Sequence, residues 1–420
     1  MDSDQFRYVR EVYRESLGLT GMDVFLDEKP PDHRVIRWHV LRKFFLLFVF
    51  VYYPIFISTQ IWGIAAGDSN TLKQISFDIS LLGHNIQNFI KMGIWITRIQ
   101  TVRSLCLDFP KFHINNYRPN LASWILEKES KDARNFTGRC YWISYVNLLF
   151  WVVLPTSTAG VIYLAYLAGY KEERDTYIPR YSPVRFPVDM TLRSSRLLVA
   201  GIEMFQFYFG FLLFQPIDMF FTAIIQMAHA QIRVLNSALF SLDGELQEYW
   251  GIQVPEGDPK QPMEVRLIIE DHQKIVKYGQ RLREFLNPIL GFESFNCITV
   301  ICNMTIVAAS EFSAEGEFLD LALPAFSSIL VVFTSLTCFY TFTKMTAVLK
   351  DAEESIFHAL YASNWYEKDV NYRKSIILMQ KLTHTPRRIK MCGIGDMGRS
   401  TFIDGSRMVY TYYNFMQRFK

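Results

Sequence analysis

The chain has 420 residues, is half hydrophobic and 15% aromatic, and carries a formal net charge of only +3. So small a charge excludes a nucleic-acid-binding role. The apolar residues are gathered into blocks of the roughly 20 residues needed to cross a bilayer, which excludes a string of ordinary soluble domains.

Met1–Pro31 is charged throughout and has neither an apolar core nor a small-residue cleavage site, so it does not read as a secretory signal. Residues 1–43 are expected to form a cytosolic segment. The first apolar block follows His33, Arg34, Arg37, Arg42 and Lys43, as a retained signal anchor would. Seven membrane segments are predicted: Phe44–Trp62, Ile75–Ile96, Tyr141–Tyr170, Leu197–Met227, Phe285–Phe312, Leu321–Phe342 and Thr401–Gln417. The second contains Asp78, His84, Asn85 and Lys91, and the seventh is short and polar along one stripe.

With the N-terminus inside, the cytosolic segments 1–43, 98–139, 230–287 and 344–399 hold 33 of the 44 Lys and Arg residues, and the external segments hold 9. This bias predicts an internal N-terminus and an external C-terminus. The orientation is the reverse of a G-protein-coupled receptor. In agreement, no acidic-Arg-aromatic triplet closes the third segment.

The cytosolic stretches read as helical extensions of the membrane segments. Val265, Ile268, Ile269, His272, Ile275 and Val276 form one stripe that runs without a breaker to Pro288. Ile232–Leu246 continues the fourth segment. Asp351–Leu382 reads as one or two amphipathic helices ended by Pro386. Such helices predict a cytosolic bundle, which either satisfies itself within one chain or joins subunits. The fold class is therefore all-α: a polytopic membrane protein of seven helices whose cytosolic extensions form an anchor bundle. Its divisions are the cytosolic segment 1–43, a bundle over 44–342 that includes the extension 230–287, anchor helices over 343–400, and a last helix over 401–420.

No catalytic constellation, phosphate loop or metal-ligand spacing is present, so no enzyme activity, cofactor or metal is expected. All six cysteines fall in apolar blocks or cytosolic loops, and no disulfide framework is expected. Gly393-Ile-Gly395 reads as a hinge before the last helix. In that helix Asp404, Met408, Thr411, Phe415 and Arg418 or Phe419 share one face. The stripe either lines a pore with a hydrophobic gate or packs on neighbouring helices, with Asp404 and Arg407 paired one turn apart. The external halves of the second, third, fourth and sixth segments offer Phe77, Leu82, Thr156, Thr158, Tyr163, Met204, Phe205, Tyr208, Phe326, Leu330 and Phe333. An aromatic and Met-rich cavity with a few hydroxyls suits small, weakly polar molecules; ordinary helix packing uses the same residues. Asp78, Glu203 and Glu293 are intramembrane acids and so candidate functional groups.

The run Ala359-Leu-Tyr-Ala-Ser-Asn-Trp-Tyr-Glu367, then Arg373-Lys374, basic residues after Pro386, the Gly-rich turn at Gly393–Gly398, Phe402 and a terminal aromatic helix together resemble the end of insect odorant receptors. The specific likeness covers roughly residues 350–420; length, segment number and orientation are similar along the whole chain. The ending Thr411-Tyr-Tyr-Asn-Phe-Met-Gln-Arg-Phe-Lys420 resembles the shared co-receptor in pattern, but the chain lacks the co-receptor's long insertion in the second cytosolic loop. The resemblance implies an odour-tuning subunit of a ligand-gated, non-selective cation channel in the plasma membrane. Four subunits would surround one pore that passes monovalent and divalent cations, with an odorant co-receptor as partner and a small volatile odorant as ligand. It also implies Phe415 and Phe419 as the gate, Arg418 beside the external mouth, and a ligand pocket among segments two, three, four and six. The alternatives are a homotetrameric taste-like receptor, a G-protein-signalling receptor and a secondary transporter.

Overall fold

The computed structural model describes residues 11–14, 32–66, 71–107, 109, 111–149, 168, 188, 192–240, 263–312, 318–384, 388–391 and 395–418. The first helix, α1 (Asp32–Leu47), passes through a π turn at Phe48–Tyr52 into α2 (Tyr53–Ala65). Pro54 explains the π turn. Its ring clashes with the carbonyl one turn back, and the ladder relaxes to wider spacing there, with the Tyr53 N–H donating to the Phe48 carbonyl.

Next comes α3 (Leu72–Thr97), which starts at a capping box: Gln74 N–H donates to Thr71 Oγ1 at 3.2 Å, and Thr71 N–H donates to Gln74 Oε1 at 3.3 Å. Short helices α4 (Ile99–Leu107) and α5 (His113–Tyr117) lead into α6 (Pro119–Leu148). Most of the outer half of the predicted third segment lies outside the described residues.

Three long helices then form the body: α7 (Arg193–Phe240), α8 (Val265–Phe312) and α9 (Phe318–Ala362). At 1.5 Å per residue, the 48 residues of α8 span about 72 Å, more than twice a hydrocarbon core, so the helix must project beyond it. It runs through Pro288 unbroken, as α7 does through Pro216. Both α8 and Ala325–Ala362 are long and apolar enough to cross a bilayer.

The amphipathic stretch after α9 breaks at Ser363. A 3₁₀ turn at Trp365–Glu367 leads to α10 (Val370–Thr383), where Asp369 caps the Asn371 and Tyr372 amides. The predicted Gly-rich hinge contains an element the sequence did not announce. Strands β1 (Lys390–Met391) and β2 (Gly395–Asp396) pair antiparallel, tied by Arg388–Asp396 at 2.6 Å. The Lys390 N–H donates to Asn287 Oδ1 at 3.0 Å, which pins the hairpin to α8. The last helix, α11 (Arg399–Gln417), packs on α8 and α9.

The core runs along α7, α8 and α9. Trp95 meets Phe220 edge-on at 5.2 Å, Phe221 meets Phe285 at 5.8 Å, and Phe109 meets Tyr278 at 5.7 Å. The outer surface is also apolar: Trp62, Trp142, Phe295 and Phe312 are all at least 65% exposed. So much exposed aromatic surface is unfavourable in water and is what a bilayer covers.

The α8 extension packs as its stripe predicts at Ile268, His272 and Ile275, which are buried, whereas Val276 is exposed. Asp271, fully buried, accepts the His113 and Ile114 amides at 2.8 and 3.1 Å and so caps α5. Its neighbour His272 is held neutral: burial pushes its pKa from 6.5 down to about 4. The unfolded chain therefore binds the extra proton first, so folding stability falls as pH drops from 6.5 towards 4. The loss is about 3 kcal/mol over that window. Thermal unfolding of the detergent-solubilised protein between pH 7 and pH 4 measures it, and His272→Phe should flatten this part of the profile.

Candidate functional site

Helices α2, α3, α6, α7, α8 and α9 enclose a cavity of about 260 Å³. Its surface is mostly apolar, yet many polar side chains reach it for a site at membrane depth. Eight side-chain amides line it: Gln60, Asn85, Gln87, Asn88, Asn147, Gln206, Gln215 and Asn296. Among apolar residues α3 places Ser80, His84, the pair Gln87 and Asn88, and Lys91 about one turn apart, so that these side chains meet on one face.

At the centre stands a buried charge cluster. Lys91 Nζ lies 2.6 Å from Asp218 Oδ1 on α7 and 2.8 Å from Glu293 Oε2 on α8. Removing charges from water costs several kcal/mol each, and the cluster stands only because pairing and further hydrogen bonds offset that. The Gln87 amide donates to Glu293, and the Asn296 amide donates to Gln87. A second chain of amides closes the other side, where Asn85 donates to Gln60 at 2.9 Å and Gln206 donates to Asn85 at 3.2 Å. Gly83 lets α3 approach α8 here, since a Cβ would sit 2.9 Å from Asn296 Oδ1.

Glu293, Cys297 and Cys338 also bring three possible metal-ligand atoms within 4.8 Å of one another. The Lys91 ammonium beside Glu293 opposes a dication there. The site therefore serves hydrogen bonding and charge recognition better than metal binding.

Of the sequence-predicted groups, Glu293 belongs to this cluster, while Asp78 and Glu203 are buried but do not line the cavity. The aromatic set is distributed elsewhere. Phe77 packs on the patch formed by Val300, Met304 and Val307. Phe205 meets Phe48 and Tyr52 edge-on at 6.5 and 6.4 Å. Met204, Phe326 and Phe333 are exposed, and Leu82 and Leu330 are half-buried. None of these described residues lines the cavity. Thr156, Thr158 and Tyr163 lie outside the described residues, as does the side chain of Tyr208. Sequence reasoning passed over Asp218 and every amide but Asn85, which it noted only as a polar residue of the second segment. The signal that could have found the amides is the three-to-four-residue spacing of polar groups in α3.

The last helix is fixed at one end. Phe402 lies 5.6 Å from Phe339 and 5.5 Å from Tyr340, ring centre to ring centre. Beyond it Gly405 is buried so closely that a Cβ would fall 2.7 Å from the Phe339 ring and 3.3 Å from Ile298. On the far side Asp404, Met408, Thr411, Phe415 and Arg418 are all exposed. Asp404 and Arg407 sit 3.6 Å apart along the helix. Phe419 lies outside the described residues.

Known proteins match this architecture. A family model described as the 7tm odorant receptor matches residues 120–410. Odorant receptor 33a of Drosophila melanogaster is 28% identical over 153 residues, covering 36% of this chain and 38% of that receptor. The chain thus spans less than two fifths of the length of that relative. Odorant receptor 49a of the same fly is 21% identical over 320 residues, covering 73% of this chain and 76% of that receptor. Among solved structures, the olfactory receptor OR5 of the insect Machilis hrabei in complex with eugenol superposes over the full length of both chains with a TM-score of 0.78 at 14% identity. With the family model covering more than half of its residues, and with lipid-facing aromatics around a continuous helical core, the chain belongs to the seven-transmembrane odorant receptor family and is an all-α, multi-pass membrane protein.

Proposed function

We propose that the chain is an odour-tuning subunit of a ligand-gated, non-selective cation channel, and that it assembles with a co-receptor subunit around a pore lined by α11. The supporting observation is α11 itself. It is clamped to α8 and α9 by Phe402 and Gly405, yet Asp404, Met408, Thr411, Phe415 and Arg418 remain exposed along one side of a single chain. Exposed acidic and basic groups are costly in lipid and become affordable around a shared aqueous path. Phe415 then acts as gate, with Phe419 beyond it. The excess of Lys and Arg in the cytosolic segments supports an internal N-terminus and an external C-terminus. A small volatile molecule binds between the membrane helices, either in the charged cavity or in an external-half pocket that includes Phe77, Leu82, Met204, Phe205, Phe326, Leu330 and Phe333.

Binding opens the channel by favouring the state in which α11 leans away from the axis. It does so only through tighter binding to that state, and tenfold activation takes about 1.4 kcal/mol of preference. The test is whole-cell recording from cells expressing this chain with and without a co-receptor, against a panel of volatiles. Evoked currents are expected only with both subunits. Asp404→Arg and Phe415→Arg should change cation selectivity or rectification. Unchanged selectivity and rectification in both variants would remove α11 from the pore. Robust current from this chain alone would replace mixed assembly by a homotetramer.

A further inference from the structure

The cavity carries an imbalance of charge that restricts what it accepts. One ammonium, Lys91, faces two carboxylates, Asp218 and Glu293, at 2.6 and 2.8 Å, with side-chain exposures of 3%, 12% and 6%. Lys91, Asp218 and Glu293 together sum formally to −1 on this wall. Asn88 and Gln206 stand on the same wall, next to the Tyr53 hydroxyl. The surplus is therefore one negative charge. A buried charge without its counterpart costs several kcal/mol. Whatever completes the site brings positive charge and donors.

We propose that this cavity selects a small protonated amine, whose ammonium is held by Asp218 and Glu293. An alkyl-ammonium carries three donors and no acceptor, which is the complement of this wall. An alcohol of the same size brings one donor, an extra acceptor and no charge. A bare proton neutralises the surplus charge but leaves the apolar part of the cavity unfilled. The apolar end of the cavity, at Val300, Met304 and Val331, receives the alkyl chain. This inference rests on the reading of the chain as a receptor for small molecules and names their chemical class.

The test compares hexylamine, 1-hexanol and heptane at pH 7, by thermal shift of the purified full chain in lipid nanodiscs and by currents in co-receptor-expressing cells. Hexylamine is expected to bind about tenfold more tightly than 1-hexanol, with heptane weaker still. Asp218→Asn brings the formal sum to zero and should remove the preference. The double variant Lys91→Gln with Asp218→Asn returns the sum to −1 and should restore it. Should the wild-type chain bind 1-hexanol as tightly as hexylamine, the proposal is overturned, whatever the variants do. Amine binding to the purified chain without any evoked current upholds the amine site and sinks the channel reading. Currents evoked by 1-hexanol or heptane with no amine preference do the reverse.

Discussion

Replacing Lys91 with methionine is expected to destabilise the folded chain by about 3–5 kcal/mol, enough to remove most of it from the cell surface. Among the described residues the ammonium is the only positive partner of Asp218 and Glu293, both of which are enclosed between α3, α7 and α8. Without it two buried carboxylates lose their cationic partner, and each must take up a proton or open the helices. The same physics predicts rescue. The triple variant Lys91→Met, Asp218→Asn, Glu293→Gln carries no buried charge and keeps the volumes close, so its melting temperature should return to near that of the parent. Fluorescence-detected size exclusion after a heat step measures both. A Lys91→Met protein that melts with the wild type would mean that the cluster is solvated and holds nothing together.

Gly405→Val should produce the second large effect. A Cβ at this position would lie 2.7 Å from Phe339 Cε1 and 3.0 Å from Cζ, and Phe339 is itself buried between α8 and α11. Overpacking of this kind typically costs 1–3 kcal/mol. Here the strain falls on the seam that holds α11 to the rest of the subunit. We expect α11 to be pushed off α9, with loss of ligand-evoked current at surface expression of at least half the wild-type level. A second substitution, Phe339→Leu, frees the space and should return part of the current. Patch-clamp recording together with surface labelling separates the seam from a simple folding defect. Wild-type currents from Gly405→Val alone would show that α11 does not need this close approach.

The long helices were legible because their signals are local. The stripe Ile268, His272, Ile275 runs without a breaker into an apolar block, and α8 follows it from Val265 to Phe312. The charge cluster was harder to read. Lys91 and Asp218 lie 127 residues apart, and nothing in either neighbourhood announces the other. The amides of α3 did carry a periodic signal, but Gln87 and Asn88 read singly as ordinary polar residues in a weak segment. Residues such as Phe326 and Phe333 mark the difficulty from the other side. An aromatic group faces lipid or an apolar cavity with the same chemistry, so apolar content alone cannot separate the two; both are exposed at the surface of the single chain. The hairpin at Lys390–Asp396 had no alternation to read, since each strand is two residues long and depends on Asn287 and Arg388 for its position.

The amide-rich wall has a thermodynamic consequence. A cavity with this many donors and acceptors keeps ordered water when no ligand is bound. The lining surface is nonetheless mostly apolar. Ligand binding therefore exchanges hydrogen bonds at the polar end and takes apolar surface out of water at the other, so the heat-capacity change should be negative and should grow with chain length, while the enthalpy should vary with the headgroup. Calorimetry on a homologous series would read both trends directly.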